Sequence, residues 1–256
     1  MPTRRGTYML LKEKNAIVYG AAGSMGGAVA RAFARAGANV FLAGRTLAKL
    51  DKVADEIRAE GGVAETAEVD AMDQSSVDAH ADEVAKAAGR IDISFNAISI
   101  RTVQNIPLVK ISLDDFMAPI VDACRTHFVT TTTAARHMTA QGSGVIVLLS
   151  STSALESRHE MGGFNLACAC IEALTRSLAG EVGRHGVRVV GLRPNFTPET
   201  VPRLTADDVQ VLVKDTLIGR LPRLAEVAES AVYLASDAAG AMTGTVLNLS
   251  CGAIIS

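Results

Sequence analysis

The amino-acid sequence predicts an α/β fold, in which one domain is built on a doubly wound, seven-stranded parallel sheet with helices on both faces. Short β-rich runs alternate with longer helical patterns along all 256 residues. Because a crossover helix returns the chain to the same end of the sheet, this alternation implies parallel pairing. The strand runs are continuously apolar, as is typical of strands covered on both sides. No linker or repeat divides the chain, so we expect a single domain over residues 1–256, with 1–13 as an N-terminal extension.

The first two strand–helix units have the clearest patterns. The run at 15–20 is apolar and ends in glycine, and the segment 26–38 repeats apolar residues at helical spacing. A second apolar run follows at 39–44. After Thr46, which we expect to cap a helix, the segment 47–62 carries another apolar stripe. Both units are therefore predicted to be a strand followed by an amphipathic helix.

The middle of the chain continues the alternation with less uniform patterns. A weaker strand is predicted at 63–70, a polar helix around 75–88 and a strand at 90–97. The long segment 113–140 has helical character throughout and is predicted to be one helix. The run at 144–151 is apolar from end to end, which indicates a buried strand.

The C-terminal part completes the predicted sheet. A helix is expected at 162–184, followed by a valine-rich strand at 186–194. Two further helical patterns occupy 205–217 and 225–235, and a last strand is expected at 243–250. These segments bring the predicted number of strands to seven.

Composition and charge argue against several classes of function. A net charge of −2 is unsuited to nucleic acid, because phosphate binding depends on clustered Lys and Arg. No apolar run approaches the roughly 20 residues that cross a bilayer, and the N-terminus lacks a signal-peptide core, so we expect a cytoplasmic protein without a membrane partner. The cysteines lack the spacing of a metal or redox site, and we expect no metal and only packing thiols. They are Cys124, Cys168, Cys170 and Cys251.

A glycine-rich segment, GAAGSMG, lies between the first strand and the first helix at 20–26. Glycines at this point let the backbone turn tightly and approach a pyrophosphate, and the helix N-terminus supplies N–H groups and a positive dipole. We therefore predict a dinucleotide cofactor here. The predicted contacts are Gly20, Gly23, Ser24, Met25 and Gly26.

The residues at the end of the second strand indicate which nicotinamide cofactor is bound. A free ribose 2′-hydroxyl usually calls for a carboxylate at this point, whereas an arginine suits a 2′-phosphate. Gly44 offers no carboxylate and Arg45 offers a guanidinium, so NADP(H) is expected in preference to NAD(H). The alternative is an ordinary surface arginine. Asp70, after the third strand, is expected to meet the adenine edge, although a turn cap is an equal alternative.

Over essentially its full length, the chain resembles the short-chain dehydrogenase/reductase family. The resemblance rests on GAAGSMG, on GRIDISFNA, on GVIVLLSS, on GVRVVGLRP and on a long C-terminal match, EVAESAVYLASDAAGAMTGTVLNL. It implies a Rossmann-type fold and adds Asn96 and Pro194 to the expected cofactor set. It also implies a homodimer or homotetramer formed through the helices at 113–140 and 162–184 and through the last helix and strand.

The resemblance further implies a catalytic tetrad of Ser, Tyr, Lys and Asn, in which the tyrosine acts as the acid and the lysine lowers its pKa. Here the serine position is Ser151, but the tyrosine position is Phe164 and the lysine position is Cys168. The asparagine position is Ala123. No tyrosine lies near this helix, so a shift of register does not restore the motif. The usual proton donor is therefore missing.

His159 is the candidate replacement, because it lies in the loop between Ser151 and Phe164 and imidazole has a suitable pKa. The alternative is a solvated loop histidine. Three functions stay open: an NADP(H)-dependent oxidoreductase with an unusual active site acting on a small carbonyl or related substrate, an inactive cofactor-binding or regulatory protein, and a non-redox isomerase, dehydratase or cyclase.

Overall fold

The computed structural model of the chain describes residues 9–156, 160–201 and 205–255. Within these residues seven parallel strands form one sheet in the order β3-β2-β1-β4-β5-β6-β7. This is the predicted doubly wound α/β architecture. The strands are β1 (Asn15–Tyr19), β2 (Asn39–Gly44), β3 (Val63–Glu68), β4 (Ile93–Asn96), β5 (Gly144–Leu149), β6 (Val187–Pro194) and β7 (Val246–Leu249).

Helices cover both faces of the sheet. Residues of alternate parity along each strand enter two separate apolar cores, one under α1, α2 and α7 and the other under α3, α4 and α5. The α-helices of the described residues are α1 (Ser24–Arg35), α2 (Leu47–Ala59), α3 (Gln74–Ala88), α4 (Leu113–Gln141), α5 (Phe164–Val182), α6 (Ala206–Val213) and α7 (Leu224–Ala235). None of them is long and apolar enough to span a membrane.

Several element boundaries differ from the predicted ones. Helix α1 begins at Ser24, two residues earlier than predicted, because Gly23 already has an extended N-cap conformation. Thr46 precedes α2 as expected, but its side chain makes no capping hydrogen bond. Leu11, in the predicted N-terminal extension, is fully buried against the first core, and its backbone N–H bonds to the carbonyl of Ala36. The part of the extension that the structure describes is therefore packed onto the domain.

The order of the strands creates a crevice between β1 and β4. Strand β1 pairs with β2 on one side and with β4 on the other. The direction in which successive strands are added to the sheet therefore reverses between β1 and β4. In open parallel sheets, ligands bind at the carboxyl ends of the strands beside such a reversal. Tyr19 and Asn96, the last residues of β1 and β4, lie opposite each other at this point.

Candidate functional site

A cavity of about 520 Å³ lies at the carboxyl ends of β1, β2, β3 and β4. Four residues that the sequence predicted for the cofactor line it, namely Gly20, Gly23, Arg45 and Asp70. The other lining residues come from the ends of these strands, from the loops that follow them, from the first turn of α2 and from α4. They are Tyr19, Ala22, Ala43, Gly44, Thr46, Lys49, Val69, Ala71, Met72, Ile98, Ser99, Arg101, Asp122 and Thr126.

The glycines of the first turn have different physical roles. Gly20 has a φ of +76°, and a Cβ on it would lie 2.5 Å from the carbonyl oxygen of Ala97. A Cβ on Gly26 would lie 2.4 Å from the carbonyl oxygen of Gly20, so this glycine allows α1 to pack on the turn. The space beside Gly23 is more open, with the nearest atom 3.4 Å from a Cβ. Gly23 is thus the position of the turn that leaves room for a ligand.

The N-terminus of α1 has the electrostatic character that suits an anion. Its N-cap residue makes no side-chain capping bond, and no acidic residue lies in its first turn. The first N–H groups and the positive end of the helix dipole are therefore available. Ser24 is exposed and Met25 packs against the first core, and neither side chain lines the cavity.

Charged side chains surround the cavity. Arg45 lies just before α2, and Lys49 lies in its first turn. Asp70 accepts a 3.0 Å hydrogen bond from the backbone N–H of Met72, as a turn cap does. Across the opening, Arg101 donates two hydrogen bonds of 2.8 and 3.0 Å to Asp122. The hydrogen bond from Arg101 is the main cause that lowers the pKa of the Asp122 carboxyl.

Tyr19 contributes a buried polar group beside the cavity. Its side chain is 1% exposed, and its hydroxyl has no hydrogen-bond partner among the described residues. The ring packs edge-on against His80, with 6.3 Å between the ring centroids. Burial, together with the charge of Asp78, raises the pKa of the Tyr19 hydroxyl. This phenol is therefore a poor proton donor.

Ser151 lies at the end of β5, outside the residues that line the cavity. It caps a short 3-10 turn, Thr152–Ala154, by accepting a 3.3 Å hydrogen bond from the N–H of Ser153. The neighbouring Thr152 hydroxyl donates to the Asn195 side chain at 3.3 Å, just beyond β6. Ser151 is half-buried.

The two positions at which the resemblance implies a tyrosine and a lysine lie at the start of α5. Phe164 is the first residue of this helix and is partly exposed. Cys168 follows one turn later and is 1% exposed. Burial is the main cause that raises the pKa of the Cys168 thiol to about 12, and the charge of Glu172 adds to it. A thiol in this state is a packing group and a poor nucleophile.

Two more of the predicted residues, Asn96 and Pro194, do not line the cavity. Asn96 is buried, where its amide donates to Thr130 of α4 at 2.8 Å and accepts from the N–H of Ile98 at 3.0 Å. It therefore joins β4 to α4. Pro194 is the buried last residue of β6. His159 lies outside the described residues. In the part of the chain that the structure describes, no three His, Cys, Asp or Glu residues cluster as metal ligands would.

Sequence reasoning missed Arg101, Asp122 and Thr126, which all line the cavity. Arg101 lies in the loop after β4, and the other two lie one helical turn apart on α4. The only available signal was that Asp122 immediately precedes Ala123, the family's asparagine position. The ion pair between Arg101 and Asp122 depends on how a loop folds back over a helix, which no local pattern encodes.

Comparison with known proteins gives matches over nearly the whole chain. A family model described as enoyl-(acyl carrier protein) reductase matches residues 20–253. A gluconate 5-dehydrogenase of Gluconobacter oxydans is 33% identical over 252 residues, covering 96% of each chain. A cis-4-hydroxycyclohexanecarboxylate dehydrogenase of Sinomonas cyclohexanicum is 34% identical and covers 94% of this chain and 96% of its own.

Solved structures agree in fold. The gluconate 5-dehydrogenase of Burkholderia cenocepacia, in complex with NADP and tartrate, superimposes with a TM-score of 0.88 at 28% identity, covering 96% of this chain and 97% of its own. A 7α-hydroxysteroid dehydrogenase complexed with NADH and a 7-oxo bile acid conjugate superimposes with a TM-score of 0.86 at 27% identity, covering 96% of each chain. The two relatives thus bind different nicotinamide cofactors on one fold.

Proposed function

The chain belongs to the short-chain dehydrogenase/reductase family, and from this premise we propose that it is an NADP(H)-dependent oxidoreductase that acts on a small carbonyl or related substrate through a non-standard active site. The observation that carries the proposal is the cavity at the reversal of strand order, with an open glycine turn at one wall and Arg45 and Lys49 at another. The NADP complex of a structural relative supports it.

The residues around the cavity fit the parts of the cofactor in order. Gly23 and the N-terminus of α1 would hold the pyrophosphate, because the turn is open there and the helix end is positive. Arg45 and Lys49 would hold the 2′-phosphate, and Asp70 would meet the adenine. When bound, the cofactor supplies or accepts the hydride.

The chain's own contribution to the chemistry is orientation and proton supply. We propose that the hydroxyl of Ser151, at the end of β5, hydrogen-bonds the substrate oxygen. Neither Phe164 nor the buried Cys168 can give a proton to the alkoxide that hydride transfer leaves. His159 is the proposed donor, and a His159→Gln variant that keeps full turnover at neutral pH would exclude it.

Our first prediction concerns the type of cofactor. Titration of the protein with NADPH and NADH, followed by nicotinamide fluorescence and thermal shift, should show tighter binding of NADPH. Arg45→Ala should weaken NADPH about tenfold or more and leave NADH nearly unchanged, because a lost charged hydrogen bond costs roughly 1.5–3 kcal/mol. Arg184→Ala, at an exposed arginine after α5, is the matched control. Equal losses for both cofactors would refute the role of Arg45, and no binding at millimolar concentration would refute the proposed function.

A second candidate function is cofactor binding without catalysis. It is favoured by the replacement of three tetrad positions, Ala123, Phe164 and Cys168, and by the burial of Cys168. It predicts cofactor binding without turnover over a broad panel of carbonyl substrates. A non-redox activity would instead appear as turnover without any cofactor.

Our second prediction tests whether the pocket is otherwise intact. The double variant Phe164→Tyr with Cys168→Lys restores the family's acid and its cation on successive turns of α5. We expect a gain of ketone reduction with NADPH, because the lysine would stabilise the phenolate. Phe164→Tyr alone is the control and should gain much less. If the double variant folds, binds NADPH and stays inactive, the active-site alignment is wrong.

We also propose that the chain assembles as a homodimer or homotetramer through α4 and α5. An apolar stripe at helical spacing is exposed along these helices, which is unusual for a surface without a partner. It consists of Leu113, Met117, Val121 and Phe128 on α4 and Leu166 on α5.

A further inference from the structure

Two cysteines from different helices meet at the contact between α4 and α5. The Sγ atom of Cys124 on α4 lies 2.8 Å from the Sγ atom of Cys170 on α5. Both are free thiols and both are partly exposed. An S–S bond measures about 2.05 Å, so a shift of less than 1 Å would join the two sulfurs. Because they are 46 residues apart in sequence, this meeting is a product of the tertiary fold.

The other two cysteines do not share this arrangement. Cys168 is buried one turn into α5, and its backbone carbonyl accepts a 3.3 Å hydrogen bond from the Ser150 hydroxyl. Cys251 follows β7, which is an edge strand of the sheet. The proximity of Cys124 and Cys170 therefore distinguishes one specific pair among four thiols.

We propose that Cys124 and Cys170 are a redox modification site that forms a reversible disulfide within one chain when the protein meets a peroxide. One thiol loses its proton, and the thiolate attacks the peroxide O–O bond and becomes a sulfenic acid; the departing oxygen takes up the proton and leaves as water or an alcohol. The second thiol also loses its proton and attacks that sulfur, which forms the S–S bond, and the displaced hydroxide takes up the proton and leaves as water. Two electrons pass from the sulfurs to the peroxide, and a dithiol or the cellular thiol pool reverses the bond. Disulfides in reducing compartments are usually of this transient, redox-sensing type.

The position of the pair connects the bond to the cavity. Cys124 is two residues along α4 from both Asp122 and Thr126, which line the cavity, and Cys170 lies on the helix that begins with Phe164. The disulfide would tie the cavity wall on α4 to the helix at the family's catalytic position. Since both thiols also lie beside the apolar stripe proposed as the subunit contact, a bond between two subunits is the competing outcome.

The test is peptide mapping by mass spectrometry after treatment with hydrogen peroxide. Burial, with the hydrogen bond to Cys170, raises the pKa of the Cys124 thiol to about 11, so an excess of peroxide at mildly alkaline pH is used. We expect a loss of two hydrogens per chain, a Cys124–Cys170 cross-linked peptide, monomer mobility on a non-reducing denaturing gel, and full reversal by dithiothreitol. A cross-link between chains, oxidation to sulfinic acid without a cross-link, or no change would each overturn the proposal.

Variants and melting give independent checks. Cys124→Ser and Cys170→Ser should each abolish the cross-link, and Cys251→Ser, the matched control, should leave it unchanged. The oxidised wild-type protein should melt roughly 5 °C higher than the reduced protein, because a bond across a long loop restricts the unfolded chain. If the bond forms and the protein melts no higher, the fold does not hold the two thiols in bonding geometry and the inference fails.

Discussion

Two buried histidines carry ring nitrogens that have no partner among the described residues. His80 on α3 leaves Nδ1 unbonded beside Tyr19, and His127 on α4 leaves Nε2 unbonded. The side chains are 6% and 2% exposed, respectively. Burial lowers the pKa of each imidazole to about 4, and only for His127 does a contact with a backbone carbonyl partly oppose it. Both rings are therefore neutral in the folded protein at pH 7.

Our third prediction follows from this difference between folded and unfolded states. In the unfolded chain each histidine becomes protonated below a pH of about 6.5, whereas in the folded chain the imidazole stays neutral until about pH 4. Stability is therefore complete above pH 6.5 and is lost as the pH falls towards 4. At pH 5, each histidine should lower the free energy of unfolding by about 2 kcal/mol relative to pH 7.5. Urea unfolding at a series of pH values measures this loss.

The control uses differences between variants, because carboxylates titrate in part of the same range. His80→Gln and His127→Gln should each destabilise the protein. Each should also reduce the loss of unfolding free energy between pH 7.5 and pH 5 by about 2 kcal/mol. His185→Gln, at an exposed histidine, should leave it unchanged. If the free energy of unfolding changes with pH by the same amount in the wild-type protein and in both core variants, the lowered pKa values are contradicted.

At the scale of single residues, the sequence predicted the part of the cavity that local motifs encode. Gly20, Gly23, Arg45 and Asp70 line it because each follows a strand end, and strand ends are readable from apolar runs. The contribution of Tyr19 could not be predicted, because the burial of its hydroxyl depends on how α3 packs against β1. Residues that reach the site through contacts between distant parts of the chain could not be predicted, because no local sequence pattern marks them.

At the scale of elements, α5 is joined to the sheet by a buried ion pair. Arg193 of β6 donates to both carboxylate oxygens of Glu172 on α5, at 2.6 and 2.7 Å, and both side chains are less than 10% exposed. Ser150, just after β5, also donates to Glu172 at 3.0 Å. The pair therefore fixes the helix that carries Phe164 and Cys168 against two strands.

Our fourth prediction is a double-mutant cycle on this pair. Glu172→Gln and Arg193→Met should each lower the free energy of unfolding by about 3 kcal/mol, because each removes one charge of a buried ion pair. The double variant should lose at least 2 kcal/mol less than the sum. The exposed pair Asp55 and Arg58 on α2 is the control, with an expected coupling below about 0.5 kcal/mol. Additive losses at Glu172 and Arg193 would show that the contact contributes nothing to stability.

At the scale of the whole molecule, the sequence predicted the number of strands and their parallel arrangement. Alternation and apolar runs sufficed, because buried strands need apolar side chains on both faces. The ends of elements were less certain: β7 is Val246–Leu249, whereas the predicted strand covered 243–250. Strand ends depend on which backbone groups find partners, and this is decided by neighbouring strands.

Our fifth prediction concerns assembly. Light scattering should give the mass of a dimer or tetramer, and Phe128→Glu should dissociate the contact through α4 and α5, because it places a charge in the exposed apolar stripe. Leu47→Glu, at a comparably exposed position on α2, should leave the mass unchanged. A wild-type monomer, or dissociation by both variants, would contradict the proposed interface.

The order of the strands also determines how the sheet is completed during synthesis. Strands β1, β2 and β3 are neighbours in sequence and can pair once the first 68 residues have emerged. The other edge of β1 then stays open until β4 is made, and the side chain of Asp92 bonds the backbone N–H of Asn15 across 77 residues. After that, β5, β6 and β7 each join the strand made just before. The growing chain therefore exposes an apolar strand edge in successive intervals, first that of β1 and then those of β4, β5 and β6, and each interval ends when the next strand is made.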